Sequence, residues 1–190
     1  MDKAVFLDRD GTINIEREFL FRPEEFEFIS GSPDAIRLLN DAGFRVIVVT
    51  NQSGIARGLY DEAAVNRLHR HMDAQLARFG ARVDAYYFCP HHPEHGIGDY
   101  RISCNCRKPM DGMLRQGAAD HSIDLAASFM VGDRLVDVEA GLNAGCRPMM
   151  VRTGYGSVES VRVPPHTPVY EDLLEAVRVI LNGHDRYWQN

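Results

Sequence analysis

Five short apolar runs, spaced along the chain with helical patterns between them, constrain the fold of these 190 residues more than any other feature. They read AVFLD (4–8), RVIVVT (45–50), DAYYFC (84–89), SFMVGD (128–133) and RPMMVRT (147–153). β-Branched and aromatic residues dominate them, as parallel strands covered on both faces require. Ser32 followed by Pro33 predicts a cap and first turn for a helix over 33–42, stopped by Gly43. Residues 61–79 place Val65, Leu68, Met72, Leu76 and Phe79 on one stripe, with Gly80 after them. Further helices are predicted over 110–120, over 135–144 up to Gly145, and over 169–181 after the PPHTP stretch. Strand–helix alternation of this kind predicts an α/β fold, a Rossmann-like, doubly wound, mainly parallel sheet with right-handed crossovers.

The length and the 45% hydrophobic content suit one domain, 1–190, with a full core. A net charge of −6 with no basic stripe argues against a nucleic-acid partner. No apolar run is long enough to span a membrane, and the N-terminus enters a strand at once, unlike a signal peptide. A cytoplasmic monomer is the expectation. Residues 13–31 and 90–109 show no clear period, and long loops in such a domain are often functional. His69 and His71 are expected on an exposed helix face, Arg57 as a solvated loop charge, Gly54 and Gly58 as turn residues, and HDRYWQN as a frayed end.

In open α/β sheets ligands bind beyond the carboxyl ends of the strands. Polar clusters fall at four such ends: Asp8-Arg9-Asp10, Thr50-Asn51-Gln52-Ser53, Cys89-Pro90-His91 and Gly132-Asp133-Arg134. Asp8 and Asp10 are two residues apart, so extended backbone points both the same way, and Gly11 and Thr12 permit a tight turn after them. Like-facing carboxylates repel unless a cation offsets them. With Asp133 arriving from a neighbouring strand, the oxygen-rich set suits Mg²⁺.

A second metal is indicated by Cys89-x-His91, a gap of 12 residues, then Cys104-x-Cys106. Three thiolates and one imidazole make a closed tetrahedral structural zinc site, with His92 or His95 as the alternative imidazole. Such a site would brace a loop that has no core of its own and present Arg107 and Lys108 beside the last ligand. Cys146, in AGCRP, reads as a buried free cysteine.

DRDGT, the threonine of VVTNQSG, the lysine of CRKP and the GDRLVD stretch resemble, in order, the four motifs of haloacid-dehalogenase-type (HAD) phosphatases. That resemblance implies a HAD-like, capless fold in which Asp8 is the nucleophile and Asp10 the general acid and base. It implies that Thr50, Asn51, Gln52 and Ser53 cradle the transferring phosphate and that Lys108 neutralises its charge. It also implies that Asp8, Asp133 and the Asp10 backbone carbonyl hold Mg²⁺. The zinc-braced loop narrows the resemblance to two groups, acting on a heptose bisphosphate or on histidinol phosphate. TNQSGIARG, CPHHPEHG, CNCRKPMDGML and LAASFMVGDRLVDVEAG resemble the heptose group. A small-molecule sugar bisphosphate is then the expected substrate, in lipopolysaccharide-core synthesis. Glu16, Arg17, Glu18 and Phe19 would read the sugar, Arg107 the remote phosphate or sugar, and Arg134 stands where the group often has lysine. The rival readings are a non-catalytic phosphoacceptor and a zinc-dependent binding module.

Overall fold

The computed structural model describes residues 1–183; HDRYWQN lies outside them. Six parallel strands make one sheet: β1 (Ala4–Leu7), β2 (Arg45–Asn51), β3 (Ala85–Cys89), β4 (Phe129–Gly132), β5 (Arg147–Val151) and β6 (Val169–Tyr170). Their order is β3-β2-β1-β4-β5-β6. The chain winds outward from β1 through β2 to β3, then returns to the other side of β1. The switch point therefore lies between β1 and β4, where Leu7 pairs with Val131.

The helices are α1 (Ser32–Asp41), α2 (Ser53–Ala56), α3 (Glu62–Ala77), α4 (Gly112–His121), α5 (Leu135–Ala144), α6 (Gly156–Glu159) and α7 (Leu173–Asn182). Alternation along β1 divides the core. Val5 and Leu7 face a cluster with Leu39 of α1, Leu76 of α3 and Val177 of α7. Ala4 and Phe6 face the other, with Leu114 of α4 and Ala140 of α5. Both strand faces are covered, which is why these runs are apolar throughout. Among the described residues, no helix is long and apolar enough to cross a membrane.

Several expectations need correction. The helix expected over 169–181 is a two-residue edge strand followed by α7: Val169 and Tyr170 pair with Met150 and Val151 before Asp172 caps α7 on the Glu175 amide at 2.8 Å. Two residues are too few to show a period of two. Ser32 opens α1 rather than capping it; Gly31 precedes it in the left-handed region, and the Ser32 hydroxyl donates to the Thr12 carbonyl. Phe79 lies beyond α3 and is 47% exposed. His69, expected on the surface, is 4% exposed. His71 is half-buried against Phe26. Residues 13–31 fold back on themselves, the Ile15 amide donating to Glu27 and the Ile29 amide to Ile13.

Candidate functional site

Asp8 follows β1, Asp133 follows β4, and Asp137 sits in the first turn of α5. Their carboxylates converge: one oxygen from each lies within 4.8 Å of the others. Lys108 Nζ lies 2.8 Å from Asp8 Oδ1 and 2.6 Å from Asp137 Oδ1, and donates to the Val49 carbonyl at 2.8 Å. Two carboxylates and a carbonyl thus surround the ammonium, and the lysine is 2% exposed. Asp137 Oδ2 accepts the Arg134 amide at 3.0 Å, fixing the carboxylate at the helix start. Asn51 clasps the Lys108 backbone, accepting its amide at 3.0 Å and donating to its carbonyl at 3.1 Å.

One ammonium does not balance three buried carboxylates. Burial pushes the Asp8 carboxyl up to about 7, with Lys108 opposing the shift. Burial, then Asp8 and Asp137, push Asp133 up to about 9. Asp133 Oδ2 accepts the Tyr155 amide at 2.8 Å, while the buried Oδ1 has no hydrogen-bond partner among the described residues. An orphaned carboxylate oxygen beside two further carboxylates fits a hard divalent cation such as Mg²⁺. Gly11, at φ +83°, lies against Asp133; a Cβ there would run into Asp133 Oδ2. Glycine is required on both counts.

Asp10 is arranged differently from the expectation of two carboxylates sharing one cation. Its carboxylate receives Arg9 Nη2 at 2.8 Å, Asn14 Nδ2 at 2.9 Å and Gln52 Nε2 at 3.0 Å. The cation offsetting Asp10 is therefore Arg9, which is fully buried. Arg9 Nη2 also donates to the Leu20 carbonyl, and Nη1 lies 3.3 Å from His69 Nε2. Burial, reinforced by Arg9, lowers the His69 imidazole to about 3. The ring is neutral and stacks on Tyr86 with centroids 4.3 Å apart.

Thr50 is buried, its hydroxyl receiving Gln52 Nε2 at 2.9 Å. Gln52 is itself fully used, since Oε1 accepts the Tyr60 hydroxyl at 2.8 Å. A cavity of about 180 Å³ opens among Asp8, Thr50, Asn51, Ser53, Lys108 and Arg134. It continues outward into one of about 270 Å³ bordered by Glu16, Glu18, Phe19, Arg57, His92 and Arg107. Glu18 and Phe19 both have positive φ, 40° and 52°, so the first loop holds local strain where it faces the cavity. Glu16 is held by the Glu18 amide, and burial raises its carboxyl. Arg17 is turned instead to Glu27, at 2.7 Å. Arg134 pairs with Glu159 and stacks over Tyr155.

Cys89, His91, Cys104 and Cys106 form one cluster. Cys106 Sγ lies 3.1 Å from Cys89 Sγ, 3.3 Å from Cys104 Sγ and 3.4 Å from His91 Nδ1. These spacings approach the edges of a tetrahedron with bonds of ~2.3 Å, and the donor set fits zinc. His92 is not a member: its Nδ1 accepts the amides of Glu94 and His95, at 3.2 and 3.0 Å. Cys146 is buried apart from the cluster, in the core.

Sequence reasoning missed Asp137, Arg9, His69 and Tyr60. Asp137 had a signal: it lies four residues after Asp133, one helical turn on. Arg9 and His69 had none, because their pairing spans 60 residues.

Residues 105–176 match a family model described as HAD-hydrolase-like. The D-glycero-beta-D-manno-heptose-1,7-bisphosphate 7-phosphatase of Escherichia coli K12 is 48% identical over 153 residues, 80% of each chain. The enzyme of that name from Photorhabdus laumondii is 42% identical over 181 residues, covering 95% of this chain and 90% of its own. The crystal structure of D,D-heptose 1,7-bisphosphate phosphatase from B. bronchiseptica, complexed with magnesium and phosphate, superposes with a TM-score of 0.87. It is 40% identical and covers 95% of this chain and 99% of its own.

Proposed function

The chain belongs to the family of D-glycero-beta-D-manno-heptose-1,7-bisphosphate 7-phosphatases within the HAD-like hydrolases, and from that premise we propose that it hydrolyses the C7 phosphate of such a heptose bisphosphate. The observation that carries the chemistry is Lys108 locked between Asp8 and Asp137, with Asp133 Oδ1 left unpartnered beside them. A buried carboxylate beside an ammonium and an oxyanion cradle is equipped to receive and pass on a phosphoryl group.

In this reading Asp8 attacks phosphorus, the bond from phosphorus to the C7 oxygen breaks, and an aspartyl-phosphate forms. Asp10, once protonated, gives that proton to the departing oxygen, then takes one from the water that attacks the intermediate and frees inorganic phosphate. Arg9, Asn14 and Gln52 hold the Asp10 carboxylate at the mouth of the inner cavity. Thr50 and Ser53 offer hydroxyls to the phosphoryl oxygens, and Asn51 and Gln52 set their frame. Lys108 keeps Asp8 ionised and opposes charge on the phosphoryl group. Asp8 and Asp133, with the Asp10 backbone carbonyl, would hold Mg²⁺, and Asp137 fixes Lys108 beside them. When bound, Mg²⁺ supplies positive charge against the phosphoryl oxygens and the facing carboxylates. Cys89, His91, Cys104 and Cys106 would hold a structural zinc. Glu16, Glu18 and Phe19 face the cavity and read the sugar; Arg17, paired with Glu27, has the weakest claim to a contact. Arg107 and Arg134 receive the far end of the substrate. The reading places the protein in the cytoplasm, as one domain and a monomer.

Phosphate release with Mg²⁺ from heptose 1,7-bisphosphate and from histidinol phosphate, in wild type and Asp8→Asn, tests this. Release from the bisphosphate that falls by about 10⁴-fold or more in the mutant is expected. Preference for histidinol phosphate would overturn the substrate. Release surviving in Asp8→Asn would overturn the mechanism.

A further inference from the structure

The outer cavity has a basic side that neither the phosphoryl chemistry nor the metal centres use. Arg57 follows α2 and borders this cavity with Arg107 and His92. Its Nε is buried with no hydrogen-bond partner, and it forms no ion pair among the described residues. Its guanidinium lies over the Phe19 ring, 5.5 Å from the centroid, which orients the planar fork without consuming its hydrogens. This is not the solvated loop charge that the sequence suggests.

Two neighbours complete a donor set. Arg107 Nη1 donates to the His91 carbonyl at 3.3 Å, and its remaining donors are unengaged among the described residues. His92 Nδ1 accepts two backbone amides, so the neutral ring carries its hydrogen on Nε2 and is a donor there. The first loop brings the opposite chemistry, Glu16 and Glu18, to the same cavity. Carboxylates suit sugar hydroxyls; two arginines and an imidazole N–H suit a phosphate.

The pieces are mechanically joined. The Ile97 amide of the zinc-bearing loop donates to the Ala56 carbonyl at 2.8 Å, one residue before Arg57. The loop that carries His92 and Arg107 is thereby tied to the backbone that carries Arg57.

We propose that Arg57 is a specificity-determining residue that, with Arg107 and His92, grips the second phosphate of the substrate and makes the enzyme select a bisphosphate over a monophosphate. This rests on the sugar-bisphosphate reading above. The test is kcat/KM for heptose 1,7-bisphosphate and for heptose 7-phosphate, taken as a ratio, in wild type, Arg57→Ala, Arg57→Lys and His92→Ala. The wild-type ratio should favour the bisphosphate. Arg57→Ala should lower it about 10- to 100-fold, chiefly through KM for the bisphosphate. Arg57→Lys should retain part of it as a point charge without the fork, and His92→Ala should lose less. Folding is checked by thermal melting, and Arg57→Lys keeps the test open if Arg57→Ala melts early. An unchanged ratio in both Arg57 variants, both substrates losing in proportion, overturns the role of Arg57 and leaves the bisphosphate reading standing. A wild-type ratio near one overturns that reading and the clamp with it.

Discussion

The acidic centre and the sulfur centre are both built for a metal, but the fold supports them in opposite ways. Asp8 and Asp133 hang from the ends of adjacent central strands, and Asp137 from the first turn of the helix that follows. Their positions are set by a sheet whose core is complete without any ion. What a cation contributes there is charge: it relieves carboxylates that burial and mutual repulsion hold well above their usual range. Cys89 alone among the sulfur ligands lies in a strand. Cys104 and Cys106 belong to a segment between Cys89 and Gly112 with a single 3₁₀ turn, Gly98–Tyr100, as its regular structure. There a metal would substitute for a core. The centres meet at Lys108, two residues past Cys106 in sequence and at the heart of the acidic group in space.

The sharpest way to break this contrast is to remove charge from the acidic centre and ask whether the fold notices. Asp133→Asn keeps the shape and removes an ionisable carboxyl that burial holds well above its usual range. Mg²⁺-dependent phosphate release should fall about 10²- to 10³-fold. The melting temperature in Mg²⁺-free buffer should hold or rise, because the cost of desolvating or protonating this carboxylate on folding is gone. A melt lowered by several degrees would mean that the acidic centre is itself a structural element, and the contrast would collapse.

Zinc removal should do the reverse. A zinc-selective chelator, with Mg²⁺ kept saturating, should lower activity about 10- to 100-fold by releasing Arg107 and Lys108 from their places. Amide hydrogen exchange should rise over 90–109 while β1 and β4 stay protected. Added zinc should restore both. Full activity with rapid exchange in the loop would show that Asn51 and the Asp8 and Asp137 ion pairs hold Lys108 without the brace.

The same contrast explains what the sequence revealed. The sheet was legible because buried parallel strands must be apolar on both faces, so each announced itself as a run. Groups at strand ends were legible for the same reason: Asp8, Thr50, Cys89 and Asp133 stand where an apolar run stops. The sulfur cluster was legible because thiols and an imidazole at short spacing have few other uses. Asp137 was hidden by its place inside a well-formed helix, where an acidic residue in the first turn has an ordinary reason to be. β6 was hidden by its length. Arg57 was hidden because a loop arginine announces nothing about the ring it lies on or the cavity it faces. The deepest omission was the support of Asp10, since nothing local to DRD points to a histidine 60 residues away.

That support yields the smallest effect, and it sharpens the contrast from the protein side. Where the sulfur centre would be braced by a metal, Asp10 is braced by Arg9, and Arg9 by a neutral His69 packed on Tyr86. Charging His69 would set an imidazolium against the Arg9 guanidinium in a buried space. Its pKa falls from 6.5 in the unfolded chain to about 3 in the fold. Below pH 6.5 the unfolded chain therefore binds a proton that the folded one refuses, and stability drops as pH falls through that window. The loss should be about 3 kcal/mol by about pH 4. His69→Gln, which can still accept from Arg9 but cannot titrate, should show a shallower fall in urea midpoint over the same range. Parallel curves for wild type and variant would mean that His69 ionises freely, and that Arg9 holds Asp10 without needing a neutral ring behind it.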